Sequence, residues 1–68
     1  MAQELLNWQQ RVVDDLEDLQ DKYSKLSTFL RDTPADSIDQ VDRVLMFDQQ
    51  QAMMQYINVL SARVRRFL

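Results

Sequence analysis

Three arginines stand close together late in the sequence, at Arg63, Arg65 and Arg66. A guanidinium group stays charged at physiological pH and can donate paired hydrogen bonds to a phosphate or a carboxylate. Trp8 and Arg11 would lie beside these arginines if the chain folds back on itself. The five residues predict a recognition end that binds a partner or an anion. The alternative is that the arginines only complement the negative end of a helix dipole.

The sequence contains no histidine, no cysteine and no glycine, so it lacks the residues that most catalytic sites use. Nucleophilic catalysis needs a nucleophile held beside a base, and no serine has such a partner at a fixed spacing. The acidic run from Asp14 to Asp21 could attract a divalent cation, but carboxylates on one straight helix diverge into water. We therefore expect no enzymatic activity, no cofactor and no metal site.

Pro34, the only proline, lies at the midpoint of the chain and separates two stretches rich in helix-forming residues. Apolar residues three and four positions apart indicate an amphipathic helix in each half. Thr33 or Ser37 could cap the second helix. The predicted boundaries are helix 1 over about residues 3–31, a bend over 32–36 and helix 2 over about 37–66. The fold class is all-α, a single-domain antiparallel two-helix hairpin that assembles into a helical-bundle homo-oligomer.

The apolar stripe of helix 1 repeats every three or four residues, as in a coiled coil. It consists of Leu5, Trp8, Val12, Leu16, Leu19, Tyr23, Leu26 and Leu30. On the opposite face, Asp18–Lys22 and Asp21–Lys25 have the i,i+4 spacing of stabilising ion pairs. Helix 1 is therefore expected to bury one face and to expose a charged one.

Helix 2 carries more apolar residues than one face can hold. Its principal stripe is predicted to consist of Ile38, Val41, Leu45, Ala52, Tyr56, Leu60, Val64 and Phe67, with one interruption at Gln49. A second group covers other faces, although a hairpin needs only one of them. We expect the surplus to be buried between copies, because a 68-residue chain without cysteines has few other means of stabilisation. The expected oligomer interface consists of Val44, Phe47, Met53, Met54, Ile57 and Leu60.

Charge is unevenly distributed, although the net charge is only −3. Residues 1–42 hold ten acidic and four basic residues, whereas residues 43–68 hold four arginines and Asp48 as the sole acid. So small a basic region in an acidic chain argues against DNA as a partner. No stretch approaches the roughly 20 apolar residues of a membrane-spanning helix, and no targeting segment is visible. We expect a soluble protein without a membrane partner.

Three short motifs stand out in the sequence. They are Trp8-Gln9-Gln10-Arg11-Val12, a Leu-x-x-Lys-x-x-Lys-Leu run at residues 19–26 and a Tyr-x-x-Val-Leu-x-x-Arg run at residues 56–63. Over about residues 8–67 the chain resembles a family of short helical phage accessory proteins that are similar to an open reading frame of crAss-like phages. The resemblance implies a phage protein made in the host cytoplasm, and it brings no established activity.

The leading hypothesis is a non-enzymatic phage accessory protein that binds and inhibits a host protein, such as a component of anti-phage defence. The recognition end, with Trp8, Arg11 and the three later arginines, would carry the binding. One alternative is an oligomeric sponge that sequesters a small anionic nucleotide signal, since arginines and aromatic rings suit phosphates and bases. A third hypothesis is a structural or assembly coiled-coil protein.

Overall fold

The computed structural model describes residues 4–68, which form a helical hairpin. Helix α1 spans Asn7–Asp32 and helix α2 spans Gln40–Arg65, with 26 residues each. A short 3₁₀ turn, Ala35–Ser37, lies between them. The two helices pack against each other in an elongated unit of 53 × 17 × 15 Å. The predicted all-α pair of packed helices is thus confirmed.

Both helices begin later than the sequence patterns indicate. Residue 3, the predicted start of helix 1, lies outside the described residues, and α1 begins at Asn7. α2 begins at Gln40 instead of residue 37, because Asp39 caps it. The Asp39 carboxylate accepts a hydrogen bond from the Val41 N–H at 2.9 Å, which satisfies one of the unpaired amides of the first turn.

Neither residue that was expected to cap α2 does so. The Ser37 hydroxyl donates to the Pro34 carbonyl at 2.7 Å and so belongs to the 3₁₀ turn. Thr33 lies at the end of α1, where its N–H donates to the Phe29 carbonyl at 3.0 Å. The connection between the helices therefore covers residues 33–39, and the predicted bend at 32–36 is too short.

The core is a narrow strip of apolar side chains between the two helices. Val12, Leu30, Ile57 and Leu60 are buried, and Leu60 is only 1% exposed. On α1 the predicted stripe is correct from Val12 to Leu30, where every member is buried or half-buried. Burial of an aliphatic side chain contributes about 1.5–3 kcal/mol, so this strip is the main source of the hairpin's stability.

The inward face of α2 differs from the predicted one. Its buried or half-buried residues mostly recur three and four positions apart and are Arg43, Met46, Gln50, Met53, Ile57, Leu60, Ser61 and Val64, followed by Phe67 beyond the end of the helix. Three members of the predicted stripe point elsewhere, since Val41, Leu45 and Tyr56 are 66%, 58% and 53% exposed. Ala52 is exposed as well, so the predicted principal stripe of helix 2 is wrong from Val41 to Tyr56 and correct at Leu60, Val64 and Phe67.

A glutamine at an inward position explains the error. The Gln50 side-chain amide donates to the Ser27 hydroxyl at 2.7 Å, across the two helices and partly shielded from water. A paired amide can occupy a core position because its hydrogen-bonding capacity is used. A pattern built from apolar residues alone misses such a position and follows the exposed stripe instead.

Both predicted ion pairs form on the outer face of α1. The Lys22 ammonium lies 3.0 Å from the Asp18 carboxylate, and the Lys25 ammonium lies 2.9 Å from that of Asp21. The hydrogen bond with Asp21 raises the pKa of Lys25 above its ordinary value. Because both pairs are exposed to water, solvent screens them and each contributes little to stability. The face is therefore mainly a solvated surface.

Truncation of Leu60 tests the importance of the core strip. We expect Leu60→Ala to lower the free energy of unfolding by about 2–5 kcal/mol, because the cavity has few neighbours that can collapse into it. Urea unfolding at one fixed protein concentration, followed by far-ultraviolet circular dichroism, measures the change. Leu68→Ala is the matched control, since Leu68 is 76% exposed. Equal losses in the two variants would contradict the assignment of the core.

Candidate functional site

A cleft lies at the open end of the hairpin, where the first turn of α1 meets the end of α2. It is lined by Trp8, Gln9, Arg63, Arg66 and Phe67 and has a volume of about 420 Å³. The cleft exists because the antiparallel packing brings residues 8 and 67 together across the whole length of the sequence. Its size falls within the range of sites that hold small molecules, roughly 300–1,000 Å³.

Two aromatic rings form one wall of the cleft. The centroids of Trp8 and Phe67 are 5.7 Å apart and their planes meet at 79°, an edge-to-face contact. Such pairs are favourable because the positive edge of one ring meets the negative face of the other. Trp8 nevertheless remains 51% exposed, so a large part of the indole is open to a ligand. The pair therefore joins the ends of the two helices and also offers a planar surface on which a ligand could stack.

The cleft is cationic. In residues 4–68 the ion pairs join Lys22 to Asp18, Lys25 to Asp21 and Arg31 to Asp32, and none includes Arg63 or Arg66. The first turn of α1 has no acidic side chain that would offset the positive end of its helix dipole. The C-terminus of α2 lies at the same end, and the negative end of its dipole offsets the positive end of the α1 dipole. The positive charge of the cleft therefore comes from its two guanidinium groups, which no carboxylate pairs within residues 4–68.

The side-chain amide of Gln9 uses its oxygen in a hydrogen bond within the protein, and its nitrogen can still donate to a ligand. Its carbonyl oxygen accepts a hydrogen bond from the Leu6 N–H at 2.9 Å, which holds the chain at the entry of α1. The amide nitrogen has two hydrogens to donate, and donors of this kind suit phosphate oxygens or the edge of a base. Gln9 thus adds a neutral donor to the two cationic ones.

The structure brings together three of the five residues predicted for the recognition end. Trp8, Arg63 and Arg66 line the cleft, whereas Arg11 and Arg65 do not. Gln9 and Phe67 were missed, although the antiparallel hairpin itself implied that residues near 8 and 67 would meet. Phe67 was assigned to the apolar stripe of helix 2, and its half-burial agrees with that assignment, while its contact with Trp8 was not foreseen.

The residues predicted for the oligomer interface divide into two groups. Ile57 and Leu60 are 8% and 1% exposed because they pack within the hairpin, so they have no surface to offer a second copy. Met53 is half-buried at the same inward face. Val44, Phe47 and Met54 are 53%, 42% and 38% exposed and remain accessible to a partner.

Two general features of the described part of the chain bear on the class of site. Within residues 4–68, no three or more acidic side chains are gathered in a way that could hold a metal ion. No helix in that same range combines the length and the apolar character needed to cross a membrane.

The fold and the cleft define a class of protein: a small all-α hairpin whose open end carries a cationic, aromatic cleft of ligand size. The chain belongs to the Sequestin family, whose model matches residues 6–66. The name of that family indicates a sequestering role, which is one of binding, and leaves open whether the target is a protein or a nucleotide. No curated protein and no solved structure matches the chain.

Trp8 fluorescence tests the contact between the two aromatic rings. Trp8 is the only tryptophan, so its emission reports on the cleft alone. We expect Phe67→Ala to shift the emission to longer wavelength, because water reaches the indole edge that Phe67 covers. The circular dichroism spectrum should not change. Phe29→Ala, which removes a ring at the other end of α1, is the control, and an equal shift there would refute the contact.

Proposed function

We propose that this chain sequesters a small anionic nucleotide in the cleft at its open end. In this proposal the protein is a non-enzymatic phage accessory protein that acts in the host cytoplasm by removing a signal from solution. One observation carries the proposal: Arg63 and Arg66, unpaired within residues 4–68, line the same cleft as the Trp8–Phe67 pair. The sequestering role that the family name indicates supports it.

Each element of the cleft suits one part of a nucleotide. Guanidinium groups match the geometry of phosphate oxygens and can bind them through paired hydrogen bonds. The exposed part of the Trp8 indole offers a planar surface, and stacking of a base on an aromatic ring contributes about 1–3 kcal/mol. The Gln9 amide nitrogen can donate to a base edge or to a phosphate. A ligand with both a negative charge and a planar ring would use all of these groups.

Sequestration requires binding and nothing further. The ligand is withdrawn in proportion to the number of protein copies, provided that the dissociation constant lies below its working concentration. A cleft that holds its ligand with arginine and aromatic side chains can do this without a nucleophile, a base or a metal. The composition of the chain, which lacks histidine and cysteine, fits a protein that acts in this way.

A second candidate function is the binding and inhibition of a host protein. It is supported by Phe47 and Met54, which remain 42% and 38% exposed on α2. A groove of about 340 Å³ lies beside Met54 and is lined also by Tyr23 of α1. Exposed aromatic and methionine side chains suit a protein surface. These residues lie away from the cleft, so substitutions can separate the two functions.

Two arginine variants with the same change of charge test the nucleotide proposal. We expect Arg63→Ala to weaken binding of a cyclic nucleotide about tenfold to a hundredfold, because a hydrogen bond to a charged group contributes about 1.5–3 kcal/mol. Arg65→Ala is the matched control, since Arg65 lies on the same turn and does not line the cleft. Isothermal titration calorimetry with a panel of cyclic mono-, di- and trinucleotides measures both.

The panel also decides between the candidate functions. Binding that Arg63→Ala weakens and Arg65→Ala leaves within about threefold supports the cleft. Equal losses in the two variants would mean that the protein attracts anions only through its overall charge. If no member of the panel binds and a host polypeptide is retained instead, through a contact that Met54→Ala disrupts, the second candidate replaces the first.

A further inference from the structure

α2 presents a second stripe on a flank of the hairpin, rotated around the helix from its inward face. This outward stripe consists of Val41, Leu45, Asp48, Ala52, Tyr56, Val59 and Arg63, and all seven residues are exposed. Its large apolar members are more than half exposed, from 53% for Tyr56 to 66% for Val41. The successive spacings are 4, 3, 4, 4, 3 and 4, which are the same in both directions from Ala52. A stripe with this symmetry can face a copy of itself.

We propose that two copies of this chain pair through their outward stripes, with α2 antiparallel to α2 about a twofold axis at Ala52. Arg63 belongs both to this stripe and to the cleft, so the pairing is tested below at positions that do not line the cleft. A twofold interface uses the same surface on both copies, so each residue must suit its symmetry mate. Ala52, the smallest member of the stripe, lies on the axis, where the two helices approach most closely.

The residues that this axis places opposite each other are chemically matched. Leu45 faces Val59 of the second copy, which is an apolar pair on both sides of the axis. Asp48 faces Tyr56, whose hydroxyl can donate a hydrogen bond to the carboxylate. Asp48 is the one acid in residues 43–68, and its position in an apolar stripe is otherwise unexplained. Val41 faces the aliphatic part of Arg63, and the guanidinium group can extend beyond Val41 into water.

The charges at the two ends of α2 select the antiparallel orientation. The helix begins with Asp39 as its cap and Asp42 in its first turn, and it ends with Arg63 and Arg65 in its last. Antiparallel pairing therefore places the acidic end of each helix beside the basic end of the other. Parallel pairing would place like charges together, which opposes association.

The small core of the isolated hairpin also favours a second copy as an additional source of stability. Only four side chains in residues 4–68 are buried, of which Leu60 alone is fully buried, and the chain has no cysteine to form a disulfide. Chains of this size bury only about 60% of their unfolded surface and are marginally stable on their own. A shallow apolar cavity of about 290 Å³ at Val41, Val44 and Leu45 offers a place for Val59 of the second copy.

Single-cysteine variants test the axis directly, because the wild-type chain contains no cysteine. We expect Ala52→Cys to form a disulfide-linked dimer on mild oxidation. A Leu45→Cys chain should link to a Val59→Cys chain when the two are mixed. Neither should link to itself, because copies of position 45 lie about 21 Å apart along the pair, and a disulfide requires Cα atoms within about 7 Å.

Ser24→Cys, on the exposed face of α1, is the matched control for random collision. Cross-linking of Ala52→Cys that is no faster than that of Ser24→Cys would overturn the proposal. Rapid self-linking of Leu45→Cys would also overturn it, because the copies would then pair in another register. Sedimentation of the wild-type chain provides an independent measurement, and a monomer at hundreds of micromolar would contradict a second copy as the occupant.

Discussion

The packing of α1 against α2 in one antiparallel register is the constraint on which the rest of this structure depends. Two helices share a single interface, so every buried side chain contributes to the same narrow strip, with Leu60 at its most enclosed point. The Gln50–Ser27 hydrogen bond is a polar contact within that strip, and it helps to fix the register because another alignment would leave the amide unpaired. The same register places Trp8 beside Phe67 at the open end. The register of the two helices therefore determines both the core and the cleft.

Sequence patterns were sufficient to predict the hairpin and the buried face of α1 from Val12 to Leu30. They were insufficient to predict the buried face of α2. The apolar repeat of α1 from Val12 to Leu30 has one interpretation, and the structure agrees with it. In α2 two stripes compete, because Gln50 interrupts the inward face while Val41, Leu45 and Tyr56 make the exposed stripe apolar as well. Hydrophobicity alone cannot distinguish a face that packs within the chain from one that remains open. That distinction needs the polar pairing and the register, which are properties of the folded hairpin.

The candidate site was predicted in part for a related reason. Arginines and a tryptophan are conspicuous in a sequence, so Trp8, Arg63 and Arg66 were recognised as candidates. Gln9 and Phe67 are ordinary helical residues whose roles arise only from their neighbours. Arg11 and Arg65 have suitable chemistry, but they do not line the cleft. Membership of the Sequestin family is consistent with a protein whose site is built for binding, and the cleft adds which chemistry it would recognise.

The central claim of this account is that the cleft holds a small anionic nucleotide, and nuclear magnetic resonance tests it most directly. The chain has one tryptophan, so its indole N–H gives one resolved signal inside the cleft. On addition of cyclic nucleotides, we predict that the signals of Trp8, Arg63 and Arg66 move with a common dissociation constant, while those around Pro34 stay in place. A Trp8 signal that no member of the panel moves, or shifts spread evenly along both helices, would contradict the claim.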